Sequence, residues 1–323
     1  MPKEITHWLV SMKTAQALRG TIMGNAALSN QNALKFGAVF PDILFYLPNA
    51  PETSRYRRLA HSLHGTNGQD TYDLIRQIIT SVQNSPYRQQ LLAFLLGVAT
   101  HIQADVVFHP MIYYLTGNYH DAEPSRRSEA IQQHRLFESL MDIYFCGGSE
   151  YVKEYTVKAI LKNLEIPLPQ IMGLSLQGSS RNETLLNINN ILVQALRNLR
   201  ILQECYSRRT LARLLYAIKP FLSGNAREIV ALFYAPQMDR MRSRVSGTLY
   251  YKNPITGDAK NASLNGLLEE AVMRSSIFSR RIEKNLAAGS ISTFSERGPS
   301  LSYGVIGATA DQAIYFAEKP FFA

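Results

Sequence analysis

Cysteine is scarce. The 323 residues hold only Cys146 and Cys205, too few for a disulfide framework, and neither sits in a CxxC or CxH pattern, so thiol chemistry is not expected. Charged residues are sparse at 18%, while hydrophobic residues reach 46% and aromatics 10%, which excludes collagen-like, low-complexity and disordered chains. Long apolar runs are also missing. The longest, Leu91 to Thr100, falls short of the roughly 20 residues needed to cross a bilayer and runs into His101, so no transmembrane segment is predicted. The opening residues lack a cationic flank, an apolar core and a small-residue cleavage site; no secretory signal is predicted, and a cytoplasmic protein is expected.

The charge that is present is unevenly placed. Residues 1 to 150 carry 12 Lys+Arg against 12 Asp+Glu, whereas residues 151 to 323 carry 22 against 13, so the whole net charge of +9 lies in the second half. A basic half beside a neutral one fits an anionic partner, either lipid headgroups or nucleic acid, and fits equally a solvated basic surface.

Apolar residues recur at helical spacing and strand signals are few, so an all-α, multi-helix protein is expected. Thr6 is read as the N-cap of a first helix reaching about Arg19. Pro41 places Asp42 at a helix end or in a turn. A long apolar helix is predicted from about Tyr87 to Phe108, stopped by His109-Pro110, and another from about Ser128 to the glycines at 147 and 148. Pro167 to Ser180 reads as a linker, dividing a domain at 1–166 from a basic helical region at 181–323 whose role the sequence does not give. Two amphipathic helices are expected in that region, within 184–206 and 263–284; the last 35 or so residues show no clear periodicity.

Six of the seven histidines fall between His61 and His134, in register with acidic residues. In His101-x-x-x-Asp105 the two side chains share a helical face, about 40° apart and roughly 6 Å along the axis. Burying an ionised carboxylate there requires compensation, by a metal ion or by a mutual His–Asp hydrogen bond, and for this pair alone the hydrogen bond is the plainer reading. His134-x-x-x-Glu138 repeats the arrangement on a second helix. His109, taken singly, reads as a packing or capping residue, but its place after the His101 turn lets it reach a different metal from the one His101 holds. Imidazole and carboxylate donors supplied from separate helices suit a multinuclear zinc site. A di-iron bundle needs Glu-x-x-His on two helices, a requirement this sequence does not meet.

The ordered set His7-Trp8, Phe40-Pro41-Asp42, Leu63-His64-Gly65, Gly97-x-x-x-His101-x-x-x-Asp105, His109-Pro110 and His134-x-x-x-Glu138 resembles the zinc-dependent phospholipase C family, whose fold is shared with single-strand-specific zinc nucleases. Lys252-Asn253-Pro254-Ile255-Thr256-Gly257, ahead of a long helix, resembles the C-terminal portion of bacterial members. The resemblance implies a multi-helix zinc phospholipase C-like domain with additional C-terminal helices. It implies that Asp42, His64, His101 and Asp105 gather round one zinc, that His109, His134 and Glu138 hold another, and that His7 helps hold a third, bridged through Asp105. Glu138 favours the phospholipase branch, since the nucleases usually carry Asp there.

One departure from the pattern concerns the third zinc. Secreted members supply a free N-terminal Trp to it, whereas here the only Trp, Trp8, follows His7, so two or three ions are expected. The implied reaction is hydrolysis of a phospholipid to diacylglycerol and a phosphorylated headgroup by a metal-bound water, with Asp42 orienting or deprotonating that water. Phe45 and Tyr46 are candidates for the pocket wall, with core packing the plainer role; His61 and His120 have no counterpart in the pattern and read as a helix-face and a loop residue. The alternatives are a nuclease or nucleotidase on the same scaffold, and a noncatalytic module docking on anionic membrane through its Arg clusters, peripheral contact in either lipid case.

Overall fold

The computed structural model describes residues 3–83, 85–168, 185–287 and 295–322. The chain is mainly α, and among the described residues the only sheet is a two-stranded hairpin. The first segment holds α1 (Glu4–Ala17), α2 (Ile22–Ser29), α3 (Gln31–Gly37), a 3-10 turn at Phe40–Tyr46, α4 (Ser54–Leu63), α5 (Asp73–Gln83), α6 (Arg88–Thr116), α7 (Pro124–Cys146) and α8 (Val157–Lys162). Then come α9 (Leu185–Tyr206), α10 (Arg209–Ile218), α11 (Gly224–Val230), α12 (Met238–Val245), the antiparallel pair β1 (Leu249–Lys252) and β2 (Ala259–Ala262), and α13 (Leu264–Ala287). The expected linker lies outside the described residues from 169 onward.

The architecture is organised round α6. Every residue from Leu91 to Tyr113 is buried, as expected of a helix that is apolar on all sides. By length and composition α6 could cross a bilayer, but its most apolar window is wholly buried inside the protein. Helices α1, α2, α3, α5, α7 and α13 pack round it. The later segment meets the earlier one at several places, α13 on α6 and α1, α9 on the 3-10 turn, α11 and α12 on α7, and one buried cluster extends from Ile5 to Leu301.

Three local expectations are corrected. Helix α6 does not stop at His109 but continues through Pro110 to Thr116. Proline removes the amide that would bond Val106 O, at a cost of about 3 kcal/mol in an isolated helix, yet here burial on all sides holds both halves together. The chain returns at Gly304 (φ 71°), where an added Cβ would stand 3.2 Å from Val106 O. Thr6 is not an N-cap: α1 starts at Glu4, and the cap residue Lys3 offers no side-chain bond. Instead Asp142 of α7 accepts from Ile5 N at 3.3 Å, Thr6 N at 2.9 Å and Thr6 Oγ1 at 2.6 Å, so a carboxylate from another helix satisfies the exposed amides at the positive end of α1. Helix α7 begins at Pro124, four residues before Ser128, because Glu123 accepts from Ser125 N and Arg126 N; Gly147, at φ 91°, ends it as expected.

Candidate metal centre

Each of the eight side chains singled out by residue type is delivered from a different point of this scaffold. Helix α6 places His101, Asp105 and His109 four residues apart along one face, α7 contributes His134 and Glu138, and α1 contributes His7. His64 is the C-cap residue of α4, and Asp42 lies in the 3-10 turn that follows α3. All eight are buried. They fall into three groups whose donor atoms lie within 4.8 Å of one another, the first two sharing His101: His7, His101 and Asp105; Asp42, His64 and His101; His109, His134 and Glu138.

The distances tie the groups together. Asp105 sits 3.4 Å from His7 Nε2 through Oδ1 and 3.3 Å from His101 Nε2 through Oδ2, with His109 Nδ1 at 3.9 Å. Asp42 Oδ1 is 2.9 Å from His64 Nε2 and 3.5 Å from His101 Nε2. Glu138 Oε1 is 3.0 Å from His134 Nε2 and 3.9 Å from His109 Nε2. The His7 and His101 rings stack with centroids 4.2 Å apart.

Backbone carbonyls set the tautomers. His64 Nδ1 is 2.7 Å from Ala60 O, His101 Nδ1 2.9 Å from Ala38 O and His109 Nδ1 2.8 Å from Leu301 O. A carbonyl can only accept, so each Nδ1 carries the proton and, in the neutral ring, each Nε2 presents a lone pair toward the carboxylates. Lone pairs then face lone pairs. Among the described residues, His7 Nδ1 and Nε2, His101 Nε2, His109 Nε2 and both Asp105 oxygens are buried with no hydrogen-bond partner. Such a cluster is stabilised only by added positive charge, from protons or from a cation.

The electrostatics of these side chains carries the same message. Burial holds His7 down at about 3 and His109 at about 4. His101 is also opposed by burial, but Asp42 and Asp105 outweigh it and raise it to about 9. Asp105 and Asp42 both stay below the usual carboxylate range: burial raises each, and the imidazoles, chiefly His109 and His101 for Asp105 and His101 and His64 for Asp42, more than offset it.

A cleft of about 700 Å³ opens above the cluster. Asp42, His64, His109, His134 and Glu138 line it, whereas His7, His101 and Asp105 do not. The Asp42 side chain keeps 12% of its surface exposed and Asp105 none. Phe45 and Tyr46 both line the cleft, and so do His61 and His120, which the spacing of the motifs did not single out. Arg57, Tyr113, Tyr119 and Ser302 were missed altogether; nothing in their sequence neighbourhoods sets them apart from ordinary surface or core residues. From the later segment, Leu199, Ile201, Leu202 and Tyr206 give one side of the cleft an apolar wall.

A family model described as zinc dependent phospholipase C matches residues 6–174, just over half of the chain and a stretch that contains all eight side chains. The chain belongs to the zinc-dependent phospholipase C family. No curated protein and no solved structure matches it. The zinc dependence of the family fits these residues: the donors are imidazole nitrogens and carboxylate oxygens with no thiolate, and the orphaned atoms of His7, His101, Asp105 and His109 converge where a cation would satisfy them.

Proposed function

We propose that this protein is a phosphodiesterase of phospholipase C type, hydrolysing a phospholipid to diacylglycerol and a phosphorylated headgroup. The observation that carries the reading is the position of the donor cluster at the floor of a cleft with an apolar wall, in a chain of this family. The donor groups would hold two or three zinc ions, which supply Lewis acidity toward a phosphoryl oxygen and lower the pKa of bound water from 15.7 toward roughly 7.

The chain's own residues supply the rest. Asp42 lines the cleft beside His64 with part of its side chain exposed, and as a carboxylate it accepts the proton of the attacking water. Arg57 adds positive charge to the cleft for a phosphate. The side formed by Leu199, Ile201 and Leu202 accommodates an acyl-bearing leaving group, and Phe45 and Tyr46 close the side near Asp42. The test is to assay zinc-reconstituted protein on phospholipid vesicles and on single-stranded DNA. Release of phosphorylated headgroup with DNA left intact is expected; cleaved DNA with inert vesicles would overturn the reading in favour of a nuclease.

A further inference from the structure

Between Tyr206 and Leu232 the chain leaves the cleft wall and returns to it, since both residues line the cleft. Tyr234 N donates to Tyr206 O at 3.1 Å and fastens the base of the excursion. Within it, α10 buries Ala212 and turns the opposite face outward. Leu214, Ala217, Ile218 and Phe221 follow one another at offsets of three, four and seven residues, one stripe along the helix and the turn after it. Leu214 is 60% exposed, Ile218 40% and Phe221 88%, with Ile229 of α11 exposed beyond them. Isolated exposed apolar residues are ordinary; an aligned stripe marks an interaction surface.

The charges of the excursion say what meets it. Arg208, Arg209, Arg213, Lys219 and Arg227 are its cations, Arg227 bonding Leu222 O and Pro220 O next to Phe221, and its one acid, Glu228, is turned inward to Ser128 Oγ at 2.7 Å and Arg135 at 3.8 Å. A second copy seated on this face by two-fold symmetry would bring the same cations against these, so self-association is opposed. An anionic bilayer matches both parts of the surface, its acyl boundary taking the apolar side chains and its phosphates the arginines.

We propose that this excursion seats the protein on an anionic lipid surface, with Leu214, Ile218 and Phe221 entering the headgroup–acyl boundary beside the cleft. The proposal deepens the phospholipid reading and rests on it for lipid as the partner. The test uses the full chain with phosphatidylcholine vesicles, with and without phosphatidylserine, in a flotation assay, alongside turnover of a short-chain monomeric phospholipid. Parent protein should bind the phosphatidylserine vesicles and release as salt rises. Phe221→Ser should lower the partition coefficient about tenfold or more, and Arg213→Ala about fivefold, with melting temperature and monomer turnover unchanged. Binding by Phe221→Ser equal to the parent's would overturn the proposal. So would a concentration-dependent dimer that Phe221→Ser abolishes, in a parent that ignores vesicles. If the parent turns over no phospholipid in any form while Phe221-dependent vesicle binding persists, the docking surface stands and the catalytic reading fails.

Discussion

Gly97 separates the contributions of packing and of chemistry to this site. It lies on α6 where α3 crosses, and a Cβ added there would stand 2.2 Å from Leu34 O, 2.7 Å from Ala38 N and 2.8 Å from the Gly37 carbonyl carbon. Those atoms are backbone, so relief requires α3 to move away by about 1 Å. Alanine is the better helix former by about 1 kcal/mol, which opposes the damage. Overpacking costs typically 1–3 kcal/mol, and the displaced Ala38 carbonyl forfeits its 2.9 Å bond to His101 Nδ1, worth about 1 kcal/mol more. The balance for Gly97→Ala is a loss of about 2 kcal/mol. Because that carbonyl orients His101, and because Asp42 follows four residues later, zinc affinity should also fall, about 10- to 100-fold. Denaturant titration and metal competition measure the two effects, with Gly266→Ala as the control: that glycine is exposed on α13, its Cβ would meet only Ser263 Oγ at 3.4 Å, and no loss is expected. If Gly97→Ala is as stable as the parent and keeps its zinc, the close approach of α3 to α6 does not position the cluster and the reasoning fails.

Elemental analysis of reconstituted protein should find two or three zinc ions per chain, and chelation should lower the melting temperature, because ligands from several helices couple metal binding to folding; less than about one zinc per chain would refute this. His101→Ala should lose metal and stability together, whereas Asp42→Asn should keep most of its metal and lose turnover far more than affinity, since an amide keeps one weak ligand oxygen but accepts no proton; equal metal loss in the two would make Asp42 chiefly a ligand. Burial raises Asp142 from 3.8 to about 6, with the Thr6 hydroxyl, Lys3 and Tyr234 opposing only part of it. Since the folded value lies above the unfolded one, this group contributes most below pH 4 and loses about 3 kcal/mol as pH rises through 6. Asp142→Asn should therefore be destabilised most at pH 4, with a deficit that narrows by pH 7 in parallel urea titrations; a deficit independent of pH would show that the group stays ionised throughout.

What the sequence made legible was local or chemical. The side chains of His101 and Asp105, and of His134 and Glu138, are paired by helical spacing alone, and the fold brings all eight selected residues together because imidazoles and carboxylates cannot be buried singly at low cost. The α class follows from periodicity in the same way. Where the reading failed, a distant partner decided the matter. Pro110 stays inside α6 because packing on every side outweighs its local preference, and Thr6 yields its capping role to Asp142, 136 residues away. Arg57 and His61, on α4, and His120, in the turn before α7, reach the cleft through tertiary placement that no short-range pattern records. The segment after 295, which showed no periodicity, proves to touch the site: Leu301 N donates to His64 O at 3.0 Å while Leu301 O accepts from His109 Nδ1 at 2.8 Å.

That double contact of Leu301 imposes an order on assembly. The carbonyl that fixes the His109 tautomer follows it by 192 residues, so at about 5–20 residues per second a ribosome exposes His109 some 10–40 s before the strut that aligns it. During that interval His109 has no carbonyl to fix its ring, whereas His64 and His101, whose partner carbonyls on Ala60 and Ala38 lie earlier in the chain, need no later segment for theirs. The His109 side of the centre is thereby completed only near the end of the chain, and an imidazole placed early still waits for Leu301 to set its tautomer.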